Sequence, residues 1–146
     1  MLAIAAALGC GHAAPTPGPG PGSTHGDGGA GDAPRALDDD LPALAARSLK
    51  QYQELAGMLG GPAIPCSDAT TKVNAVATKY ADVIAANDRV AHAGHDKIKR
   101  LKAALEPLDA DFTTAVTTIK DSATLRACSD DAGFAKAFDR LSGERS

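Results

Sequence analysis

Apolar side chains recur every three to four residues over 41–141, which is the period of an α-helix that packs one face against other helices. The first such stretch covers 41–59. Three acidic residues at 38–40 precede it, where the helix dipole favours negative charge, and Pro42 suits a first helical turn. The glycines and proline of 60–62 end the pattern. We therefore predict a first helix over 41–59.

A second helix is predicted to begin near Ser67 or Asp68, since either side chain suits an N-cap. Its apolar positions alternate spacings of three and four residues, the pattern of a seam between packed helices. The seam positions are Val73, Val76, Tyr80, Val83, Asn87 and Val90. Asn87 is the one polar member. Two interpretations apply: Asn87 sets the register of helix packing, or it contacts a ligand.

A third helix is predicted after Gly94, with Asp96 as its N-cap. Its apolar residues are Ile98, Leu101, Leu105, Leu108, Phe112, Ala115, Val116 and Ile119. This face continues in phase through Pro107, which favours one kinked helix, and a break at Glu106 is the alternative.

A fourth helix is predicted to start at Ser129 or Asp130 and to stop at Gly143. Its apolar residues are Phe134, Ala137, Phe138 and Leu141. The spacing of three and four residues between apolar positions also continues across Gly94. An alternative is therefore that the second and third helices form one helix that runs as far as Glu106.

Helix length decides between these topologies. The fused helix would be about 60 Å long and the next one only about 30 Å, which would leave half of the long helix without a partner. A turn at Gly94 instead gives two long helices of similar length. The sequence therefore predicts an all-α domain, an antiparallel four-helix bundle with short connections.

The first ten residues have a different character. Residues 2–8 form an apolar run that is too short to span a bilayer but has the length of a signal-peptide core, and small residues and Cys10 follow it. Signal peptides open with Lys or Arg, whereas none occurs before Arg35, so we expect the natural start to lie upstream. Residues 1–10 could also direct secretion of a protein that has no membrane anchor. A further alternative is an ordinary buried N-terminal helix that contains Cys10.

A spacer is predicted between this segment and the helices. Glycine and proline supply 13 of the 24 residues in 11–34, with no Leu, Ile, Val or aromatic residue among them. Such a segment buries too little apolar surface to offset its ordering entropy. We therefore expect 11–34 to be a disordered tether with a root-mean-square reach of about 25–30 Å, and 35–146 to be the folded domain.

Composition, charge and the motifs present reduce the number of functions that the chain is expected to have. Aromatic residues make up 3% of the chain, Trp is absent, the formal charge is −3 and the pI is near 5.7. These values exclude a nucleic-acid surface built from cations and stacking rings. The sequence has no nucleophile elbow, phosphate-binding glycine loop or HExxH pair. We expect a protein that is not an enzyme and carries no cofactor.

The two cysteines other than Cys10 are predicted to form a disulfide with each other. In an up-down-up-down bundle, Cys66 lies between the first and second helices and Cys128 between the third and fourth, so both lie at the same end. An oxidising compartment would allow a disulfide there. Two ordinary thiols are the alternative, and the separation of 62 positions excludes a CxxC redox motif.

Two further groups of residues are weak candidates for binding. His92 and His95 are three positions apart and could hold a metal ion with a carboxylate, although Gly94 between them favours ordinary polar residues at a helix end. A basic run could contact an anionic lipid surface or a glycan, and a solvated helix face is its simpler interpretation. The basic run consists of Lys97, Lys99, Arg100 and Lys102.

The segment Ala7-Leu8-Gly9-Cys10 resembles the lipobox of bacterial lipoproteins, except that Ala7 stands where leucine is usual. With the spacer, the Cys66–Cys128 domain and the stretches KYADVIAAN (79–87) and FAKAF (134–138), the chain is similar to uncharacterised small bacterial lipoproteins. The resemblance implies cleavage before Cys10 and a lipid on its sulfur. Gly11 stands where aspartate would signal inner-membrane retention, which favours the outer membrane.

These observations predict an envelope lipoprotein that faces the periplasm or the cell surface, with secretion as the alternative. Its partners would be the membrane, through the lipid on Cys10, and an envelope protein. The competing hypothesis is a periplasmic carrier or sensor whose bundle holds a small ligand or a metal ion.

Overall fold

The computed structural model describes residues 36–143, and within this range all regular structure is helical, without strands. The all-α prediction is confirmed for this part of the chain. Two short 3-10 turns occupy Leu37–Asp39 and Glu106–Leu108. The α-helices are α1 (Leu41–Leu59), α2 (Cys66–Lys79), α3 (Ala81–His92), α4 (His95–Leu105), α5 (Asp109–Lys120), α6 (Ala123–Cys128) and α7 (Ala132–Ser142).

Helix α1 has the predicted bounds. Its N-cap is Asp40, whose side chain accepts a hydrogen bond from the backbone N–H of Ala43 at 3.1 Å, and its C-cap is Gly60. Asp38 and Asp39 precede the cap in the 3-10 turn rather than in the first turn of the helix. Of the three acidic residues before α1, Asp40 therefore stabilises the start of the helix most directly, because its carboxylate accepts a hydrogen bond from a free backbone N–H.

The predicted second helix starts earlier than expected and is divided in two. Helix α2 begins at Cys66 after Pro65, so neither Ser67 nor Asp68 is the cap. The break lies at Tyr80, where the backbone takes φ −108° and ψ 24°. Tyr80 has a buried ring that belongs to the core, and no glycine or proline marks the break in the sequence.

The turn between α3 and α4 lies where it was predicted. Gly94 has φ +101°, a conformation that glycine adopts readily, and it is the N-cap of α4. Helix α4 starts at His95, so Asp96 lies in its first turn rather than at the cap. The predicted third helix is divided: α4 ends at Leu105, and the 3-10 turn Glu106–Leu108 joins it to α5, so the structure has the alternative break at Glu106 rather than one kinked α-helix.

The C-terminal part contains an additional short helix. Ser122 caps α6 by accepting from the N–H of Leu125 at 2.9 Å. Asp131, rather than Ser129 or Asp130, caps α7, because its side chain accepts from the N–H of Phe134 at 2.8 Å. Gly143 ends α7 in the left-handed conformation, with φ +77°.

The core consists of two clusters of buried side chains. Helix α1 contributes to both, and it packs against α4 and α5 as well as against α2 and α3, while α7 packs mainly against α2. The first cluster is Leu55, Ala56, Leu59, Ala69, Val73, Ala115, Ile119, Cys128, Phe134 and Ala137. The second cluster is Leu41, Leu44, Val76, Tyr80, Val83, Ala86 and Val90. Helix α4 has no fully buried residue, so it covers the second cluster only from outside.

Candidate functional site

The predicted disulfide is present in the structure. The Sγ atoms of Cys66 and Cys128 are 2.10 Å apart and their Cα atoms 5.5 Å apart. Cys66 is the first residue of α2 and Cys128 the last of α6, so both lie at helix ends rather than in open loops. Cys128 is fully buried in the first cluster, whereas Cys66 is half-buried. The bridge therefore joins the start of α2 to the segment that precedes α7.

Cys10, the predicted lipidation site, lies outside the described residues. The same holds for the whole of the predicted signal segment 1–10 and tether 11–34. These predictions accordingly remain arguments from the sequence.

His92 and His95 lie on either side of the Gly94 turn, at the end of α3 and the start of α4. The Nδ1 atom of His92 lies 2.8 Å from the carbonyl oxygen of Asp88 and 3.5 Å from its Oδ1, and the His92 side chain is 74% exposed. Within residues 36–143 no group of three or more His, Cys, Asp or Glu residues is placed to hold a metal ion. His92 is thus tied back to its own helix.

An ionic cluster fixes the point where the chain enters the domain. The Asp38 carboxylate accepts from Arg89 Nε at 2.8 Å and from Lys97 Nζ at 3.0 Å, and Lys97 also lies 3.5 Å from Asp39. The hydrogen bond from Arg89, followed by that from Lys97, lowers the pKa of Asp38. The side chain of Asp38 is only 12% exposed. The cluster holds the 3-10 turn Leu37–Asp39 against α3 and α4.

A second polar cluster lies at the break between α2 and α3. The Glu54 carboxylate on α1 accepts from Lys79 Nζ at 2.6 Å and from the Tyr80 hydroxyl at 2.9 Å. These two bonds, first that from Lys79, lower the pKa of Glu54, while burial and the neighbouring carboxylate raise the pKa of Tyr80. A charged carboxylate and a protonated phenol are therefore the stable pair, and they tie the helix break to α1.

Asn87, the polar residue of the predicted seam, faces α1. Its Nδ2 donates to the hydroxyl of Ser48 at 3.3 Å, and Ser48 is itself buried. A matched polar pair across two helices favours one register over others, because slippage would leave both groups unpaired. This contact supports the interpretation of Asn87 as a register-setting residue.

The basic run divides into two parts in the structure. Lys97 is half-buried and forms an ion pair with Asp38, and the sequence did not indicate this pairing. Lys99, Arg100 and Lys102 are exposed and form no ion pair within residues 36–143. Three unpaired cations within four positions of one helix are the chief charged feature of the surface of α4.

Comparison with known proteins gives no relative: no family model, no curated protein and no solved structure matches the chain. Among the described helices, none has the length and apolar character needed to cross a membrane. Function is therefore inferred from the cysteines, the charged clusters and the order of segments in the chain.

Proposed function

We propose that this chain is a non-enzymatic envelope lipoprotein. In this proposal Cys10 carries the lipid, residues 11–34 form the tether, and residues 35–146 form a helical binding or structural module for an envelope protein. One observation carries the proposal: Cys66 and Cys128 are bonded to each other, so Cys10 is left as the third of the three cysteines. A structural disulfide is typical of exported proteins, and the cysteine outside this disulfide is the one in the lipobox-like segment.

The proposed location is the outer membrane, with the domain facing the periplasm or the cell surface. Gly11 after the lipobox cysteine supports it, because aspartate at this position is the inner-membrane retention signal of enteric lipoproteins. Secretion without a lipid is the alternative. The Gly/Pro-rich spacer suits either case, since it separates a folded domain from a surface or a leader.

We further propose that the domain is an antiparallel four-helix bundle. Its four members would be α1, the α2–α3 pair, the α4–α5 pair and α7, with α6 as a connection. The contacts of α1 with both kinked pairs, and of α7 with α2, support this arrangement. The two clusters then correspond to two successive sections of one bundle core.

The absence of catalysis is proposed because the described ionisable clusters are committed to structure. Asp38 is bonded to Arg89 and Lys97, and Glu54 to Lys79 and Tyr80, so each carboxylate joins separate helical elements. Such groups have lowered pKa values that suit permanent ion pairs rather than proton transfer near neutral pH.

The experiment is intact mass spectrometry of protein expressed with its upstream DNA and recovered from membranes. We expect a lipid-sized mass increase on a chain that starts at Cys10, and alkylation of Cys66 and Cys128 only after reduction. A Cys10→Ser variant is the matched control and should lack the lipid mass while keeping the disulfide. A chain that keeps Met1 and alkylates three thiols without reduction would contradict the proposal.

A calorimetric zinc titration separates the proposal from the competing carrier or sensor. Heat that is lost in a His92→Ala variant would favour a metal-binding bundle, with His92 and His95 as its ligands. The lipoprotein proposal expects no saturable heat with either protein, since each of these histidines lies at a different helix end.

A further inference from the structure

Helix α4 carries a local concentration of exposed positive charge, whereas the domain as a whole is close to neutral. Lys99, Arg100 and Lys102 are exposed and unpaired within residues 36–143, and Lys99 and Lys102, three positions apart, lie on one face of the helix. Asp96 and Glu106 stand near the two ends of this group. The domain as a whole is close to neutral, because all 15 basic residues and all but two of the 18 acidic residues lie from Arg35 onward. Positive charge is therefore concentrated locally on α4.

The point of chain entry lies beside the same helix. The 3-10 turn Leu37–Asp39 is bonded through Asp38 to Lys97, two residues before Lys99. At about 1.5 Å of rise per residue, Lys99 to Lys102 lie within roughly 8 Å of Lys97 along the helix axis. The described part of the chain thus begins with a turn that is bonded to α4, close in sequence to the predicted end of the spacer at residue 34.

From these two observations we propose that the α4 patch, defined as Lys99, Arg100 and Lys102, contacts an anionic phospholipid surface. That surface is the bilayer in which the Cys10 lipid is anchored, so the inference rests on the proposed function. The chemistry is direct: phosphate groups on the lipid face accept from ammonium and guanidinium donors, and an anionic leaflet attracts clustered cations.

A weak contact is sufficient for an anchored domain. Each Lys or Arg near an anionic leaflet raises membrane partitioning about fivefold, and Asp96 and Glu106 oppose part of this gain. In free solution three cations give loose binding. A tether with a reach of about 25–30 Å keeps the domain at millimolar effective concentration near the surface, where loose binding orients it. The α4 patch would then hold the domain flat on the leaflet and expose the opposite helices.

The test uses the full chain with Cys10→Ser, so that binding does not depend on lipidation. The probe is a vesicle with about one third phosphatidylglycerol in phosphatidylethanolamine, against vesicles of phosphatidylcholine alone, in roughly 10 mM salt where the Debye length is about 30 Å. The variant is K99Q/R100Q/K102Q. The matched control, K72Q/K120Q/K136Q, removes the same charge from exposed lysines on α2, α5 and α7.

We expect the parent chain to sediment with the anionic vesicles and not with phosphatidylcholine. The α4 variant should lose about fivefold in partitioning per charge, roughly two orders of magnitude in all, and the control less than about fivefold. Equal losses in both variants, no loss in either, or no binding of the parent chain would overturn the proposal, as would α4-dependent binding to an acidic polysaccharide but not to vesicles. A single Lys99→Gln change and circular dichroism of each variant establish that any loss reflects charge rather than unfolding.

The two proposals fail in distinguishable ways. A chain without lipid on Cys10 would refute the anchor in the mass measurement, whatever the vesicles show. A lipidated chain whose Cys10→Ser form ignores anionic vesicles would leave the anchor intact and refute the role of the α4 patch.

Discussion

The two core clusters of the domain are fastened by different means. The first contains the Cys66–Cys128 disulfide, a covalent link between the start of α2 and the end of α6. The second is bordered by polar contacts instead: Asp38 with Arg89 and Lys97, and Glu54 with Tyr80. A disulfide is insensitive to salt and acid, whereas an ion pair weakens with both. The domain therefore has one end whose links resist solvent conditions and one end whose links respond to them.

The two clusters also differ in the helix that covers each of them. Phe134 and Ile119 bring large side chains into the first cluster, and α7 covers it. The second cluster also contains large side chains, among them Leu44 and Tyr80, but its cover, α4, has no fully buried residue. A covering helix that is only partly buried removes little apolar area from water, so the polar contacts add positional constraint at this end.

The largest effect is expected from removing the covalent link. The C66A/C128A double variant should lose about 4 kcal/mol of unfolding free energy, because a closed loop of about 60 residues restricts the unfolded chain. Urea unfolding with and without reductant measures the loss. Cys10→Ala is the matched control and should unfold like the parent in both buffers. An unchanged midpoint after complete reduction would argue that the bridge contributes nothing.

The next effect compares a buried leucine of the second cluster with one of its cover. Leu44→Ala should cost about 3 kcal/mol, because Leu44 is completely buried and its loss leaves a cavity. Leu101→Ala on α4 should cost only about 1 kcal/mol, since that side chain is half-buried. Paired denaturant titrations measure both values. Equal losses would mean that α4 is packed as tightly as α1.

A smaller effect is expected at the break between α2 and α3. Tyr80→Phe removes the hydroxyl that donates to Glu54 but keeps the buried ring, so we expect a loss of about 1 kcal/mol. A Glu54→Gln variant keeps an acceptor for the hydroxyl and tests whether the charge matters. If Tyr80→Phe proves as stable as the parent, the bond does not hold the break in place.

The smallest effect at neutral pH should come from Asp38→Asn, since Arg89 is about half exposed and the contacts are screened by salt. Its signature is a pH dependence. The folded pKa of Asp38 is lowered below its ordinary value of 3.8, so its stabilisation is present above that value and is lost as pH falls through the lowered pKa.

Thermal unfolding at a series of pH values below about 4 checks this sign. The parent midpoint should fall more steeply with acid than the Asp38→Asn midpoint, and added salt at neutral pH should narrow the gap between them. Parallel curves would show that Asp38 makes no ion pair that matters to folding.

Several boundaries could be predicted because they rest on local chemistry. Asp40 and Gly60 bracket α1, Gly94 makes the turn that needs a positive φ, and Pro107 marks the break between α4 and α5. Gly143 likewise ends α7. Each of these signals acts within a few residues, so it is visible in the sequence.

What the sequence did not reveal depends on contacts across the fold. The break at Tyr80 has no local signal and involves Glu54, which lies 26 positions earlier. Lys97 looked like part of a solvated basic face, but its partner Asp38 is 59 positions away. Helix α6 is too short for a clear apolar period, and its cap, Ser122, resembles any loop serine. Long-range partners of this kind are set by packing, which periodicity does not specify.

The disulfide also makes a covalent ring of residues 66–128, with α1 outside it on one side and α7 on the other. A single proteolytic cut anywhere within 67–127, including at the exposed Gly94 turn, would open the ring without dividing the molecule. The piece that leads to Cys10 would still be bonded to the piece that carries α7. A nicked protein would thus migrate as one chain until reduced. If Cys10 carries the proposed lipid, both halves would stay attached to it.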